Sequence, residues 1–308
     1  MATPILRYHS PYPVHILPAS ELMYYIPRLV DKHTLVVAVS RSGERGQVVD
    51  ALKDSAQQGA LGVAMTGVSD SLLAQSGQLT LLTSEGPEIT FPKTKSVTAC
   101  TGLLMRLALL LAGAGDTEAK NCLNALRTVP EVIKHTLGVV ENEIRALIPA
   151  ISSQKVAIIV GTGSNHGVAL EAAMKIQETA YILTFSDETG NLLHSGLGVV
   201  NPEWLNILLI TNRDLALSKR ALKLIGEFGA HRLSIVEPGL DLEALSEYVL
   251  TLPERVDPFL AALIYLLPIQ LIAYYWAVGR GLNPDAPASM HATLAAVLAP
   301  DRKEPELR

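Results

Sequence analysis

Four short stretches hold the residue types and spacings that chemistry requires. In Ser40-Arg41-Ser42-Gly43-Glu44-Arg45, two hydroxyls, two arginines and a glycine stand between an apolar run and a helical pattern. Hydroxyls beside the free N–H groups and positive dipole end of a helix suit a phosphate or another anion. They equally suit an ordinary polar turn with a capping serine, and composition does not separate the two. Gly161-Thr162-Gly163-Ser164-Asn165 occupies the same kind of position. It is a short GxG pattern, which by itself fits any tight strand-to-helix turn. On the helix that follows, Glu171, Lys175 and Glu178 recur at i, i+4 and i+7 and share one stripe, while Val168, Ala169, Ala172, Ala173 and Ile176 are small or apolar. Such a stripe either faces a cavity or an interface, or forms a solvated face with i,i+4 pairing. His194, in Gly190-Asn191-Leu192-Leu193-His194-Ser195-Gly196, titrates near neutrality and so suits acid or base work. A structural histidine would read identically.

The surrounding elements set these stretches in place. Apolar runs at 34–40, 61–66 and 79–83, with a weaker one at 14–17, read as strands, and 47–58 has helical length. Helical material follows over 94–147. The pattern then restarts, with strands at 155–161, 205–211, 232–236 and 247–251 and helices over 165–182 and 213–228. Continuous apolar runs, rather than strict alternation, suit parallel sheets covered on both faces. The chain therefore reads as α/β, two doubly wound parallel-sheet domains of flavodoxin type. The expected boundaries are 1–138 for the first domain, 139–153 for a linker helix, 154–290 for the second domain and 291–308 for a tail. Ligands of such folds sit beyond the carboxyl ends of the strands, so the loops after Val39 and Val160 are the places to look.

Composition narrows the function. Of 308 residues, 49% are hydrophobic and 18% charged, which is too apolar for a disordered chain. The net charge of −5 and the absence of basic runs disfavour nucleic acid as a partner. The two cysteines, Cys100 and Cys122, lie in no metal-ligand pattern and read as reduced thiols in a cytoplasmic protein. No metal or organic cofactor is expected. The N-terminus lacks a cationic start followed by an apolar core, so no signal peptide is read. Residues 258–279 carry no charge and have the length of a membrane span, but Pro268 and Gln270 interrupt them and α/β signals flank them. A buried helix is expected there, partly covered by another subunit.

Taken together, the motifs resemble one family. Ser40-Arg41-Ser42-Gly43-Glu44 is similar to the SxSGET turn of tandem sugar-isomerase (SIS) proteins. Gly86-Pro87-Glu88-Ile89 with Lys93-Thr94-Lys95 resembles their GxEIxVxSTK segment, and Glu171-Ala172-Ala173-Met174-Lys175-Ile176-Gln177-Glu178 resembles EGALKLKE. His194-Ser195-Gly196 resembles the HGP turn, Pro268-Ile269-Gln270-Leu271-Ile272-Ala273-Tyr274 resembles PLQLLAY, and Asn283-Pro284-Asp285-Ala286-Pro287 resembles the NPDxPR tail. The family includes the isomerase half of glucosamine-6-phosphate synthase, phosphosugar deaminases and fructosamine-6-phosphate deglycases. The resemblance implies a sugar phosphate substrate. Glu178 would be the base that moves a proton between adjacent carbons, with Lys175 beside it. His194 would open the ring or act as acid, coming from the neighbouring subunit of a homodimer or higher homo-oligomer. Ser40, Arg41, Ser42, Arg45 and Thr94 would hold the phosphate, with Gly161, Thr162, Gly163 and Ser164 as a second turn.

Three departures qualify this expectation. Arg45 stands where the family has threonine. Ala288-Ser289-Met290-His291-Ala292 lacks the family's tail lysine, with His291 as a candidate substitute. No strand with a Gly-Thr-Ser-like turn precedes Val14, so the first domain either lacks its first strand or pairs 14–17 differently. The expected function is a phosphosugar isomerase, or an amino-sugar-phosphate deaminase or deglycase. The alternative is a non-catalytic sugar-phosphate sensor.

Overall fold

The computed structural model describes residues 1–113 and 115–287. In chain order the elements are α1 (Thr3–His9), α2 (Ala19–Tyr24), β1 (Leu35–Val39), α3 (Gly46–Gln57), β2 (Leu61–Thr66), α4 (Leu72–Ser76), β3 (Leu79–Leu82), α5 (Lys95–Leu110), α6 (Thr117–Ala125) and α7 (Val129–Ile151). They continue with β4 (Val156–Gly161), α8 (Ser164–Ala180), β5 (Leu183–Asp187), α9 (Thr189–His194), β6 (Leu205–Ile210), α10 (Leu215–Glu227), β7 (His231–Val236), β8 (Tyr248–Thr251) and α11 (Ala261–Gly279). The chain forms two compact units, one of Met1–Glu88 with Lys93–Thr128, the other of Ile89–Pro92 with residues from Val129 onward.

The first unit carries a three-stranded parallel sheet in the order β1-β2-β3. Ala38 and Ala64 of the sheet, Val49 and Leu52 of α3 and Leu73 of α4 form its buried cluster. Small strand residues let the helices approach closely, and the large side chains come from the helices. Residues 14–17 carry no regular secondary structure and pair with no strand, contrary to the strand expected there. The physical reason lies at the ends of the segment. Pro13 and Pro18 have no N–H to donate to a ladder, and β1 is bonded only to β2 among the described residues.

The second unit carries five parallel strands in the order β5-β4-β6-β7-β8, a doubly wound sheet whose order reverses at β4. All six residues of β6, Leu-Asn-Ile-Leu-Leu-Ile, are buried, as a central parallel strand covered on both faces requires. Its one polar member, Asn206, donates from Nδ2 to the carbonyls of His231 (3.2 Å) and Trp204 (3.4 Å).

Strand β5 falls where the sequence reads as the end of a helix and a loop. It is an edge strand with inverted alternation: Leu183 and Phe185 face outward and Thr184 is buried. Thr184 is satisfied there by donating from Oγ1 to the carbonyl of Ala173 at 2.7 Å. The chain reaches β5 through Tyr181, which ends α8 in the left-handed region at φ 53°.

Helix α11 is the uncharged stretch noted in the sequence. It is long and apolar enough to cross a membrane, yet it packs against α7 and α8, with residues from Ala261 to Ala277 mostly buried. The helix expected over 139–153 is the later part of α7, which begins at Val129.

Candidate active site

The 40–45 turn connects β1 to α3 at the carboxyl end of the first sheet. Its shape comes from backbone bonds. The Ser40 N–H donates to Met65 O at 3.0 Å and the Gly43 N–H to Ser40 O at 3.1 Å. Gly43 sits at φ 68°, and a Cβ there would lie 2.1 Å from Ser71 Oγ, so glycine is required on both counts. The Arg41 carbonyl is held twice, by the Gly67 N–H (3.0 Å) and the Thr66 hydroxyl (3.2 Å). Ser40 is buried, Ser42 half-buried, and Arg45 is the exposed N-cap of α3, with no side-chain cap bond. The first turn of α3 therefore keeps N–H groups available beside the hydroxyls.

Thr94 lies in the same unit with a different task. Its N–H donates to Glu88 Oε1 at 3.0 Å, and Glu88 also accepts from the Ser96 hydroxyl. These bonds, with Lys93 nearby, outweigh desolvation and hold the Glu88 carboxyl below the usual range. Thr94 is thus the N-cap of α5 with Glu88 across its first turn.

The 161–164 turn follows β4, at the point where the strand order of the second sheet reverses. Gly163 is left-handed at φ 59°, and a Cβ on Gly161 would lie 2.5 Å from the Asn165 carbonyl. The turn is occupied by a group the sequence did not single out. The Thr162 hydroxyl lies 3.1 Å from Glu188 Oε1 and 2.9 Å from Thr189 Oγ1. Glu188 also caps α9, accepting the N–H groups of Gly190 (2.7 Å) and Asn191 (3.2 Å). A carboxylate already engaged at this turn makes it a poorer seat for an anion than the 40–45 turn. Ser164 is buried, its hydroxyl 3.5 Å from Phe259 O.

The charged stripe of α8 is buried rather than solvated. Lys175 Nζ lies 2.7 Å from Glu178 Oε2 and 3.4 Å from Glu171 Oε1. Lys175 is 3% exposed and Glu171 8% exposed, and Glu178 is half-buried. Two carboxylates share one ammonium, and burial raises the Glu171 pKa despite the attraction of Lys175. Between the ordinary glutamate pKa and this raised value the folded chain binds more protons than the unfolded chain. Raising the pH through that window therefore costs stability. Glu171→Gln is expected to raise the melting temperature at pH 7, with the gain vanishing near pH 4. A gain equal at both pH values would contradict this origin.

His194 ends the short helix α9, exposed, with no hydrogen bond or ion pair to Glu178 among the described residues. The fold thus joins Glu171, Lys175 and Glu178, and among the described residues no bond ties His194 to them. His291 and the rest of 288–292 lie outside the described residues. Among the described residues no group of three or more His, Cys, Asp or Glu is placed to hold a metal ion.

The SIS domain family model matches residues 2–111 and 150–280. The chain belongs to the SIS domain family. It is 32% identical over 289 residues to the glutamine–fructose-6-phosphate aminotransferase (isomerizing) of Streptococcus pyogenes, covering 90% of this chain and 46% of that protein. The chain thus spans about half the length of the curated relatives it matches. Among solved structures, the C-terminal domain of glucosamine-fructose-6-phosphate aminotransferase from Francisella tularensis superposes with a TM-score of 0.82 at 23% identity, covering 93% of this chain and 82% of that one. Glucosamine-6-phosphate deaminase from Thermotoga maritima gives 0.69 at 21% identity, covering 88% and 78%. At these identities the superpositions establish the fold, the α/β arrangement of parallel sheets with flanking helices that the sequence implied.

Proposed function

We propose that this SIS protein processes a ring-opened sugar phosphate by moving a proton between C1 and C2, as a phosphosugar isomerase or an amino-sugar-phosphate deaminase or deglycase. The observation that carries the reading is the Glu178–Lys175 ion pair at 2.7 Å in the largely buried stripe of α8. Lys175 holds Oε2 of Glu178, which leaves Oε1 to take a proton from the carbon next to a carbonyl. A phosphate-binding role is assigned to the 40–45 turn of the first unit, on its hydroxyls and the free N–H groups that open α3. The oxygen-protonating role is given to His194 of a second copy, because among the described residues of one chain it makes no hydrogen bond or ion pair to Glu178. A homodimer is therefore part of the proposal, as is a cytoplasmic setting. A non-catalytic sensor is the second reading, favoured by a His194 that is exposed and, among the described residues, not bonded to Glu178.

A thermal-shift panel tests the reading. Hexose 6-phosphates and amino-sugar 6-phosphates are expected to stabilise the chain, by about 2.7 kcal/mol at a hundredfold excess over Kd. Unphosphorylated sugars are expected to do nothing. Equal shifts with and without the phosphate, or none at all, would contradict it, and stabilisation with no product from any assay would select the sensor.

A further inference from the structure

Glu85 is a buried carboxylate that the reading above does not use. It follows β3 in Thr83-Ser84-Glu85-Gly86, where Ser84 (φ 58°) and Gly86 (φ 71°) are both left-handed. A serine in that region is uncommon and strained, so the surroundings must enforce it. The two turns fold Glu85 inward at the carboxyl end of the first sheet, and its side chain is 3% exposed. There Oε2 accepts from the Thr83 hydroxyl, while Oε1 lies 3.6 Å from Arg41 Nε. Room for Oε1 exists because residue 67 is glycine: a Cβ on Gly67 would lie 2.4 Å from it.

Arg41 completes the arrangement. Its carbonyl is fixed by Thr66 and Gly67, so its backbone is rigid within the anion-binding turn. Its Nε is enclosed and has no hydrogen-bond partner, as has Glu85 Oε1, so each is the other's charged neighbour. Nε is the only one of the three guanidinium nitrogens so enclosed, and the side chain is 32% exposed. A buried cation edge with no counter-charge is costly, and without Glu85 the long side chain would leave for water. The Cys100 thiol also feels this carboxylate, and burial together with Glu85 pushes it up to about 11.

We infer that Glu85 is a positioning residue that holds the inner edge of Arg41, so that the terminal nitrogens of Arg41 face the sugar-phosphate oxyanion at the 40–45 turn. The inference rests on the phosphate assignment made above and adds to it the group that aims Arg41. A guanidinium held in this way presents two donors in a fixed plane, a match to a phosphate that serine hydroxyls alone do not offer.

The test is a double-mutant cycle on the full chain, read as the Kd for glucose 6-phosphate and fructose 6-phosphate by calorimetry, with folding checked by circular dichroism and melting. Glu85→Ala is expected to weaken binding about tenfold. Glu85→Gln, which keeps an oxygen for Arg41 Nε and turns its NH2 to the Thr83 hydroxyl as acceptor, is expected to restore most of the affinity. In the Arg41→Ala background, Glu85→Ala is expected to have no further effect, which a merely structural role would not give. Unchanged or tighter binding by a folded Glu85→Ala variant, or the same tenfold loss in both backgrounds, overturns the inference while the phosphate assignment stands. Failure of the unaltered chain to bind either sugar phosphate overturns both.

Discussion

Glu178→Gln is expected to lower kcat on the chain's sugar phosphate by roughly 10²–10⁴-fold, with Kd changed less than about twofold. The amide fills the space of the carboxylate and can still accept from Lys175, so the fold and the ligand contacts should persist. What it cannot do is take a proton from carbon. The measurement is steady-state kinetics paired with calorimetric binding, since the two together separate loss of chemistry from loss of substrate. Retained turnover in this variant would remove Glu178 from the base role, and with it the reading of the α8 stripe as catalytic.

The second large effect concerns stability. Lys175 is the one cation between two buried or half-buried carboxylates. Lys175→Met fits an apolar helix and leaves Glu171 and Glu178 without a counter-charge. Removing one partner from a buried ionic group costs about 3–5 kcal/mol, because the remaining charge is desolvated and unpaired. For a unit of this size that is a fall in Tm on the order of 10 °C. Adding Glu171→Gln and Glu178→Gln to Lys175→Met should recover most of the loss, since no buried charge would then remain. Differential scanning calorimetry on the three chains decides it. A single Lys175→Met variant melting within about 2 °C of the unaltered chain would mean that water reaches the stripe.

The central strands were legible because burial on both faces writes itself as unbroken apolar runs, as in β2, β4 and β6. The edge strand β5 was not, because its buried residue is Thr184 and its exposed ones are Leu183 and Phe185, the reverse of the usual pattern. Residues 14–17 misled in the opposite sense: their side chains suit a strand, but the flanking prolines and the missing neighbour forbid a ladder. The i, i+4, i+7 spacing correctly placed Glu171, Lys175 and Glu178 on one stripe. Whether water or protein faced that stripe was not in the spacing; it depends on how the helix sits in its unit, where it packs against α11. Glu85 and Glu188 were missed because each is a single carboxylate in a loop. Their only sequence signal was position, just beyond the carboxyl ends of β3 and β5, where ligands of parallel sheets gather.

Proton exchange at the substrate carbon tests the central claim most directly. In heavy water, with glucose 6-phosphate, fructose 6-phosphate or glucosamine 6-phosphate, the unaltered chain should place deuterium at C1 or C2 of at least one of them, followed by proton NMR. Glu178→Gln should place none. Deuterium incorporated equally by both chains, or by neither while the sugar phosphates bind, would contradict proton transfer by Glu178.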